Sequence, residues 1–395
     1  MQATPGQAVE PLRWYDRGLL EELERVYGPQ GLPALLESLM LPPARYYFRV
    51  NVLRVDPGVL LDEMRREGLR VYMDELLQEA LWLPVEGPRR LRDPGCRVIV
   101  DKRAAESVMM GAHVYAPGVV RIEECVAPGQ EVLVVSENGV PVAVGVAAPM
   151  LRDALRARRG LVVEVIEPLY RVPSLRETRW SREGMIYEQG LPSMHVAHVL
   201  APEPGSVIVD MCAAPGGKTS HVYELVRGRA RVIAVDHSRR KTERLRAELE
   251  RLGHSSVEVI QADSRHLGRR LGEGVADYVI LDPPCSSLGV IPKIRDRKTL
   301  REVEISAKYQ RQFLRAAYRL LRPGGVLVYS TCTMTMRENE GNIRYAVEKL
   351  GFRLEEAWPR RFSRGLGDYG TPAIRVHPSI HRATGYFIAR LRKPP

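Results

Sequence analysis

Residues 210–221 read Asp210-Met-Cys-Ala-Ala-Pro-Gly-Gly-Lys-Thr-Ser-His221, between a short apolar run and a segment with helical periodicity. Glycines at a strand-to-helix junction let a ligand approach the backbone, and the first turn of the helix presents unpaired N–H groups. The triplet Gly217-Lys218-Thr219 is similar to a phosphate-binding loop, but that motif requires glycine where Cys212 stands. The segment therefore favours a cofactor site over a nucleoside triphosphatase site.

On both sides of this motif the sequence alternates between apolar runs and helical segments. The apolar runs are residues 207–211, 231–235, 257–261, 278–281 and 326–330, and the clearest helical segments are residues 239–252 and 307–321. Regular β-α alternation is typical of a doubly wound, mainly parallel sheet that binds its ligand at the carboxyl ends of the strands. We therefore expect an α/β Rossmann-like core with its catalytic site between residues 210 and 333.

Polar residues and cysteines follow these apolar runs. Asp236 closes the second run, where a carboxylate can accept both hydroxyl groups of an adenosine ribose, although an NAD site would present the same acid. The next strand ends carry Asp263, then Asp282-Pro-Pro-Cys285, then Ser330-Thr-Cys-Thr333. Because a hydride-transfer enzyme has no need of two cysteines at adjacent strand ends, we expect a different reaction beside an adenosine-type cofactor.

Two thiols facing one pocket suit the methylation of a pyrimidine at carbon 5. That carbon is not nucleophilic enough until a thiolate adds to carbon 6, and the carbon-5 proton must leave before the adduct resolves. One thiol attacks, the other assists release, and Asp282 can hydrogen-bond the exocyclic amine and N3 of cytosine. An aromatic residue after Asp282-Pro-Pro would indicate methylation of an exocyclic nitrogen, but Cys285 stands there. The competing interpretation is that Cys285 and Cys332 are small buried apolar residues, as free cysteines often are.

Two further residues of the first motif have distinct expected roles. Cys212 lies inside the loop, so contact through its backbone is expected rather than chemistry through its sulfur. Lys218 stands at a predicted helix start, where the helix dipole disfavours a cation unless an anion lies nearby. We expect that anion to be a cofactor carboxylate, Asp210, Asp263 or an RNA phosphate.

The residues before the core divide into two smaller units. Residues 16–40 predict two helices separated by Gly28-Pro29, and residues 46–72 predict a small β-α-β unit. Residues 98–165 contain short strand-like runs between turn signals, which suggest a small β-barrel, with a helix over residues 104–110. The expected domains are residues 1–92, 93–168 and 169–395.

Charge and cysteine content restrict the function classes. The 395 residues carry a formal charge of +11, with eight lysines and 51 arginines, so nucleic acid is the first expected partner. There is no apolar run of about 18 residues, and residues 1–11 show no targeting segment. Five separated cysteines fit neither a disulfide framework nor a zinc cluster. We expect a cytoplasmic protein without a metal, in which Cys96 and Cys125 are unpaired buried residues.

Three motifs together resemble the Nol/Nop/Sun (NSUN) family of S-adenosylmethionine-dependent RNA cytosine-5 methyltransferases. They are Asp210-Met-Cys-Ala-Ala-Pro-Gly-Gly-Lys-Thr219, Asp282-Pro-Pro-Cys-Ser286 and Ser330-Thr-Cys-Thr333, in this order. Residues 45–53 resemble the N-terminal RNA-binding subdomain of the family, and residues 184–192 and 385–391 resemble its entry segment and last core strand. The resemblance implies a Rossmann-like methyltransferase core with an N-terminal, RRM-like α/β subdomain.

The resemblance also implies a role for each site residue. Cys332, in the Thr-Cys motif, would be the nucleophile, and Cys285 would help to release the product. DNA cytosine methyltransferases use the Pro-Cys cysteine as nucleophile, so this assignment comes from the resemblance alone. Asp282 and Lys218 would complete the catalytic group. The implied contacts to S-adenosyl-L-methionine are Cys212, Ala213, Ala214, Pro215, Gly216, Gly217, Lys218, Asp236, Lys241, Asp263 and Asp282.

Residues 101–119, with residues 129–134 and 142–145, resemble a PUA domain, which is an RNA-binding barrel. Within the family, a PUA domain placed before the core is characteristic of the branch that methylates cytidine 72 of tRNA. The implied partner is tRNA, held by its acceptor stem and CCA end while the target base leaves the stem. We expect a monomer and no membrane partner. The rival interpretations are an rRNA methyltransferase and a non-catalytic RNA maturation factor.

Two basic clusters are candidates for phosphate contacts, although either is also compatible with a solvated face. The first is Arg152, Arg156, Arg158 and Arg159, and the second is Lys293, Arg295, Arg297 and Lys298.

Overall fold

A computed structural model describes residues 15–395, so the prediction for residues 1–11 lies outside the described residues. The described chain begins with α1 (Arg17–Met40), which Asp16 caps by accepting a hydrogen bond from the Leu19 N–H. Gly28 has a φ of +71° and separates two helical halves. The predicted break at Gly28-Pro29 is therefore confirmed, since a left-handed φ favours glycine.

An antiparallel sheet follows α1. It contains β1 (Arg45–Val50), β2 (Tyr72–Met73) and β3 (Ala80–Pro84), with α2 (Pro57–Arg66) between β1 and β2. A further strand, β10 (Ile186–Glu188), pairs with the free edge of β1, so the order is β10-β1-β3-β2. The predicted β-α-β unit is present, but β1 and β2 are not neighbours, because β3 lies between them.

The segment that leads into β10 packs with this N-terminal sheet. Leu175, Trp180 and Ile186 share an apolar core with Phe48 and Leu60. The expected 169–395 domain thus contributes its first residues to the N-terminal unit, although the barrel separates the two in sequence.

The second unit is a β-rich domain with one apolar core, to which Val98, Val132 and Val162 contribute. Its strands pair in the order β5-β9-β8-β7-β4-β6. The strong alternation and turn signals of the sequence explain why its strands were predictable. Its elements are β4 (Arg97–Val100), α3 (Lys102–Val108), β5 (Val114–Tyr115), β6 (Val119–Ile122), β7 (Glu131–Ser136), β8 (Pro141–Ala147), α4 (Leu151–Ala157) and β9 (Leu161–Pro168).

This β-rich domain holds a disulfide, which contradicts the expectation for its cysteines. Cys96, just before β4, and Cys125, on the exposed turn after β6, are bonded, with their Cα atoms 5.9 Å apart. The antiparallel pairing of β4 with β6 brings the two together, a tertiary effect that cysteine spacing does not reveal. The expectation that both are unpaired buried residues is therefore wrong. Cys212, Cys285 and Cys332 are free thiols.

The third unit is the α/β core, and its sheet has the order β13-β12-β11-β14-β15-β19-β18-β17, with β16 paired to β19. The strands from β13 to β15 are parallel, and β19 pairs antiparallel with β15. Its elements, with α5 of the preceding segment, are α5 (Arg179–Arg182), α6 (Leu191–Leu200), β11 (Val207–Asp210), α7 (Gly217–Leu225), β12 (Arg231–Asp236), α8 (Arg239–Leu252), β13 (Glu258–Gln261), α9 (Gly268–Leu271), β14 (Ala276–Leu281), α10 (Leu300–Leu320), β15 (Leu321–Thr331), α11 (Glu340–Leu350), β16 (Arg353–Glu355), β17 (Ser363–Arg364), β18 (Ile374–Val376), α12 (Pro378–His381) and β19 (Tyr386–Arg392).

The parallel strands are buried on both faces, which confirms the doubly wound α/β fold. Ile208 and Ile280 belong to one apolar core, whereas their sequence neighbours Val209 and Val279 belong to another. Because successive strand residues point to opposite faces, the two cores lie on the two sides of the sheet. Among residues 15–395, no helix is both long and apolar enough to cross a membrane.

The chain after Cys285 connects the core to the β-rich domain. Ile294 packs in the core of that domain, and its N–H donates to Glu106 Oε1 at 3.1 Å. Lys293 is buried with its Nζ 2.8 Å from Asp296 Oδ2, and Arg295 is buried in an ion pair with Glu137.

These ion pairs correct the second predicted basic cluster. The prediction of surface phosphate contacts is wrong for Lys293 and Arg295, because both side chains are buried against carboxylates. Arg297 is exposed and Lys298 is half-buried. The four arginines of the first cluster are all exposed, namely Arg152, Arg156, Arg158 and Arg159.

The disulfide generates a prediction for stability. We expect Cys125→Ser to lower the free energy of unfolding of the β-rich domain by about 2–4 kcal/mol, because the bridge restricts the unfolded chain. Urea unfolding with and without reductant measures this change. Wild-type protein in reductant should match the variant, and the variant should be insensitive to reductant. Equal stability of oxidised wild type and variant would contradict the prediction.

Candidate active site

Four loops meet at the carboxyl end of the parallel sheet. The order β12-β11-β14-β15 makes neighbours of the strands that end at Asp236, Asp210, Leu281 and Thr331. The chain leaves β11 to one side through β12 and β13 and then returns to the other side at β14, which opens a crevice at that point. The predicted motifs, distant in sequence, therefore lie around one crevice.

The thiols of Cys285 and Cys332 are in contact. Their Sγ atoms are 3.4 Å apart, and the hydroxyl oxygen of Ser287 lies 3.7 Å from the first and 3.6 Å from the second. Both side chains are half-buried. The contact between the sulfurs is the arrangement expected of two thiols that face one pocket.

The two thiols differ in acidity. The hydrogen bond from Cys285 lowers the pKa of Cys332 below its ordinary value, with Ser287 and Lys218 assisting and burial and Asp282 opposing. The same hydrogen bond, together with burial, raises the pKa of Cys285 well above its ordinary value. Cys332 is therefore the thiol that ionises first, and Cys285 keeps its proton as the donor. The sequence could not make this distinction without the family resemblance.

Lys218 and Asp282 form an ion pair beside the thiols. The Lys218 ammonium bonds Asp282 Oδ2, and the Ser330 hydroxyl donates to Asp282 Oδ1 at 3.2 Å. Burial lowers the pKa of Lys218, but Asp282 and the hydroxyl of Tyr386 outweigh it and raise the pKa well above the ordinary value. The ammonium is thus retained. The expected anion beside Lys218 is Asp282, which was not among the anions named from the sequence.

The first motif lines an open cavity of about 220 Å³. One wall of the cavity is formed by the residues of the motif, namely Cys212, Ala213, Ala214, Pro215, Gly217 and Lys218. The other walls are formed by Asp282 and by the segment from Tyr187 to Gly190. Gly216, which opens α7, has a φ of +116°, and a Cβ on Gly217 would lie 2.9 Å from Tyr187 Cε1. The loop therefore needs both glycines, and it brings the backbone to the edge of the cavity.

Asp210 and Cys212 line this cavity, and burial raises the pKa of each. Asp210 is buried, and burial raises its pKa to about 6, partly offset by the hydrogen bond that Thr219 donates at 2.7 Å. Burial, followed by Asp210, raises the pKa of Cys212 well above the ordinary value, so its thiol stays protonated. This agrees with the expectation that Cys212 contributes its backbone.

Asp236 has the position expected of a ribose ligand. It is the last residue of β12, and its Oδ1 accepts the Ser238 N–H at 3.0 Å. Lys241 Nζ lies 3.8 Å from Asp236 Oδ2, and the carboxylate of Asp236 is buried. Asp263 is bonded by Arg265, which lowers the pKa of Asp263. The place of Asp236 at the carboxyl end of β12 fits the ribose of an adenosine-type cofactor.

Two residues of the site were missed by the sequence reasoning. Glu338, which is fully buried, accepts hydrogen bonds from the residues that follow both cysteines, namely Ser286 and Thr333. Tyr386, the first residue of β19, places its hydroxyl at Lys218. The alternating threonines of residues 331–335 were an available signal, because hydroxyl groups at the end of a buried strand need partners.

A histidine cluster lies behind the cofactor loop. His198 Nε2 and His221 Nε2 lie 2.5 Å and 3.1 Å from Glu79 Oε1. Burial lowers the pKa of His221 to about 3, so its ring is neutral, and its Nδ1 is buried without a partner. A metal-bound imidazole needs an acceptor for its other N–H, which His221 lacks. The three groups therefore form a hydrogen-bonded link between the N-terminal sheet and helices α6 and α7.

Comparisons with known proteins give consistent results. The family described as 16S rRNA methyltransferase RsmB/F matches residues 197–392, and the PUA domain matches residues 96–169. The chain is 40% identical over 389 residues to the tRNA (cytosine(72)-C(5))-methyltransferase of Pyrococcus horikoshii, which covers 98% of this chain and 99% of that protein. It is 33% identical to human tRNA (cytosine(72)-C(5))-methyltransferase NSUN6, covering 85% of this chain and 79% of the relative. The crystal structure of NSun6 from Pyrococcus horikoshii with SFG has a TM-score of 0.90 at 39% identity, covering 97% of this chain and 100% of that chain.

The position of Asp236 yields a prediction for cofactor binding. We expect Asp236→Ala to weaken the binding of S-adenosylmethionine by about 10–100-fold, since a hydrogen bond to a charged group contributes about 1.5–3 kcal/mol. Isothermal titration calorimetry measures the dissociation constant. Asp277→Asn is the control, because Asp277 lies near the opposite end of the sheet, where it accepts the Val207 N–H. Equal affinities of Asp236→Ala and wild type would contradict the prediction.

Proposed function

Because the chain belongs to the RsmB/F-type (NSUN) family of RNA cytosine-C5 methyltransferases, we propose that it methylates carbon 5 of cytidine 72 in the acceptor stem of tRNA. The cofactor is S-adenosylmethionine, which supplies the methyl group when bound. The observation that carries the proposal is the 3.4 Å contact between Cys285 Sγ and Cys332 Sγ beside the cofactor loop. Two thiols in contact serve no purpose in methylation of an exocyclic nitrogen.

The arrangement supports a covalent mechanism. The Cys332 thiolate attacks carbon 6 of the cytosine, which makes carbon 5 nucleophilic enough to accept the methyl group. Asp282 accepts a hydrogen bond from the exocyclic amine, and the Lys218 ammonium stabilises the negative charge that develops on the ring. This pairing of acceptor and donor favours cytosine over uracil.

Release of the product requires the second thiol. After methyl transfer, the proton on carbon 5 must leave before the bond between Cys332 Sγ and carbon 6 can break. Cys285 lies against Cys332 and keeps its own proton while Cys332 is ionised. Once Cys332 Sγ is bonded to carbon 6 it no longer carries the negative charge, so Cys285 can give its proton to solvent and act as a base. We assign to the Cys285 thiolate the removal of the carbon-5 proton: the electron pair of that C–H bond forms the double bond between carbons 5 and 6, the bond between carbon 6 and sulfur breaks, and Cys332 leaves as a thiolate.

The target position follows from the β-rich domain. Residues 96–169 match a PUA domain, and relatives covering most of the chain are named for cytosine 72 of tRNA. The exposed Arg152, Arg156, Arg158 and Arg159 present positive charge on this domain for phosphate contact. Because the crevice cannot reach carbons 5 and 6 of a stacked base, the target cytidine leaves the stem before reaction.

The proposal extends to organisation and setting. Residues 93–168 act as the RNA-docking domain, and residues 1–92 and 169–395 hold the target base and the cofactor. The enzyme acts as a monomer, without a metal, in the cytoplasm. The histidine cluster has a structural role in this proposal, because His221 is hydrogen-bonded to Glu79.

Bisulfite sequencing tests the substrate. We expect purified protein, incubated with total tRNA, ribosomal RNA and S-adenosylmethionine, to produce new 5-methylcytosine at position 72 of a subset of tRNAs. Cys332→Ala, incubated in parallel, should produce none. New methylation confined to other tRNA positions or to ribosomal RNA would overturn the target. No methylation of either RNA would overturn the enzymatic assignment.

The two cysteines should fail in different ways. Cys332→Ala should abolish methyl transfer, because no thiolate remains to attack carbon 6. Cys285→Ala should accumulate a covalent protein–RNA adduct, because attack proceeds while release stalls. Denaturing gels with labelled tRNA detect the adduct, and the double variant should show none. A normal turnover rate of Cys332→Ala, or an adduct confined to that variant, would contradict the assignment of roles.

A further inference from the structure

Glu338 joins the two loops that carry the thiols. Its Oε1 accepts the Ser286 N–H at 2.9 Å, and its Oε2 accepts the Ser286 hydroxyl at 2.5 Å. On the other loop, the hydroxyls of Thr333 and Thr335 lie 3.3 Å and 3.0 Å from Oε2. Ser286 directly follows Cys285, and Thr333 directly follows Cys332. A single carboxylate thus contacts the chain next to both sulfurs.

Gln310, on α10, completes this arrangement. Its side-chain amide donates to Glu338 Oε1 at 2.9 Å and to the Pro284 carbonyl at 3.0 Å. Glu338 and Gln310 are each fully buried. Because the Ser286 N–H and the Gln310 amide can only donate, Glu338 Oε1 must accept both, and hydroxyl donors occupy Oε2. A carboxylate serves all of these donors at once, and its charge strengthens each hydrogen bond.

We propose that Glu338 is a positioning residue for methyl transfer: it fixes the loops beside Cys285 and Cys332 and so holds the two sulfurs in contact. The proposal rests on the proposed function, because it assigns a purpose to that contact. Glu338 is fully buried, and it accepts hydrogen bonds from the residues next to the cysteines, so its effect passes through Ser286 and Thr333.

The charge of Glu338 acts in the same direction as its hydrogen bonds. The groups that face Cys285 are Cys332, Ser287, Glu338 and Asp282, and the two carboxylates help to raise the pKa of Cys285, after the hydrogen bond with Cys332 and burial. A protonated Cys285 donates the hydrogen bond that lowers the pKa of Cys332. Cys332 is faced by Cys285, Asp282, Ser287 and Lys218. The buried carboxylate therefore favours ionisation of Cys332 over that of Cys285.

Replacement of Glu338 by glutamine is a sharp test. Glu338→Gln keeps the shape and removes the negative charge. Its amide nitrogen would replace Oε2, where it has two N–H groups for the three hydroxyls of Ser286, Thr333 and Thr335, so at least one hydrogen bond is lost and the others lose their charge assistance. The thiols are probed directly, without RNA or cofactor, by limited alkylation with iodoacetamide across a range of pH and peptide mass spectrometry. Wild type should be modified first at Cys332. In the variant, we expect the preference for Cys332 to fall about tenfold, which corresponds to about one pKa unit.

Turnover should change in parallel. We expect Glu338→Gln to lower kcat for tRNA methylation by about 100-fold, a loss of about 2.7 kcal/mol, with KM for tRNA within about twofold of wild type. Asp277→Asn is the matched control, because it removes a carboxylate that accepts the Val207 N–H near the far end of β14. That control should keep both the alkylation preference and kcat.

Thr335→Val removes one hydroxyl donor to Glu338. It should lower the alkylation preference and kcat in the same direction as Glu338→Gln but by less, and it provides the test if Glu338→Gln does not fold.

The outcomes separate this proposal from the proposed function. An unchanged alkylation preference in both Glu338→Gln and Thr335→Val would overturn the positioning role. The same result in Asp277→Asn as in Glu338→Gln would also overturn it, since any loss of a carboxylate would then suffice. A reduced preference in Glu338→Gln, with no methylation by wild type on any RNA, would support the positioning of the thiols and reject the proposed function.

Discussion

The contact between Cys285 Sγ and Cys332 Sγ, at 3.4 Å, is the constraint on which the rest of the site depends. The two cysteines follow β14 and β15, so these strands must be neighbours and must end at the same level of the sheet. The cofactor loop follows β11, which pairs with β14 on its other side. The parallel core therefore places the cofactor loop, the ion pair of Lys218 with Asp282 and the two thiols at the carboxyl ends of neighbouring strands.

The sequence predicts those parts of the site that depend on local pattern, which here means motifs placed at the ends of apolar strands. Each motif directly follows an apolar run, and parallel strands place their carboxyl ends together, so the meeting of Cys285 and Cys332 was predictable. The pairing of Lys218 with Asp282 was not, because it depends on the reach of a long side chain across two strands. The same holds for Glu338, whose five donor groups come from two loops and a helix. Side-chain networks of this kind leave little trace in spacing.

In the β-rich domain, too, the sequence pattern predicts the strands but not the tertiary contacts. Its strands follow from alternation and turn signals, but the Cys96–Cys125 bridge and the burial of Arg295 follow from which strands and loops come together. The loop after Cys285 packs Ile294 into that domain and donates the Ile294 N–H to Glu106. The loop that carries Cys285 is therefore anchored to the β-rich domain on its C-terminal side.

The most direct test of the account uses a tRNA acceptor-stem duplex with 5-fluorocytidine at position 72, incubated with the wild-type protein and S-adenosylmethionine. Fluorine replaces the hydrogen that must leave carbon 5, so attack and methyl transfer should proceed while release cannot. The account predicts a stable protein–RNA adduct that carries the transferred methyl group, with the crosslinked peptide containing Cys332. An adduct through Cys285, or RNA bound without any covalent adduct, would contradict it.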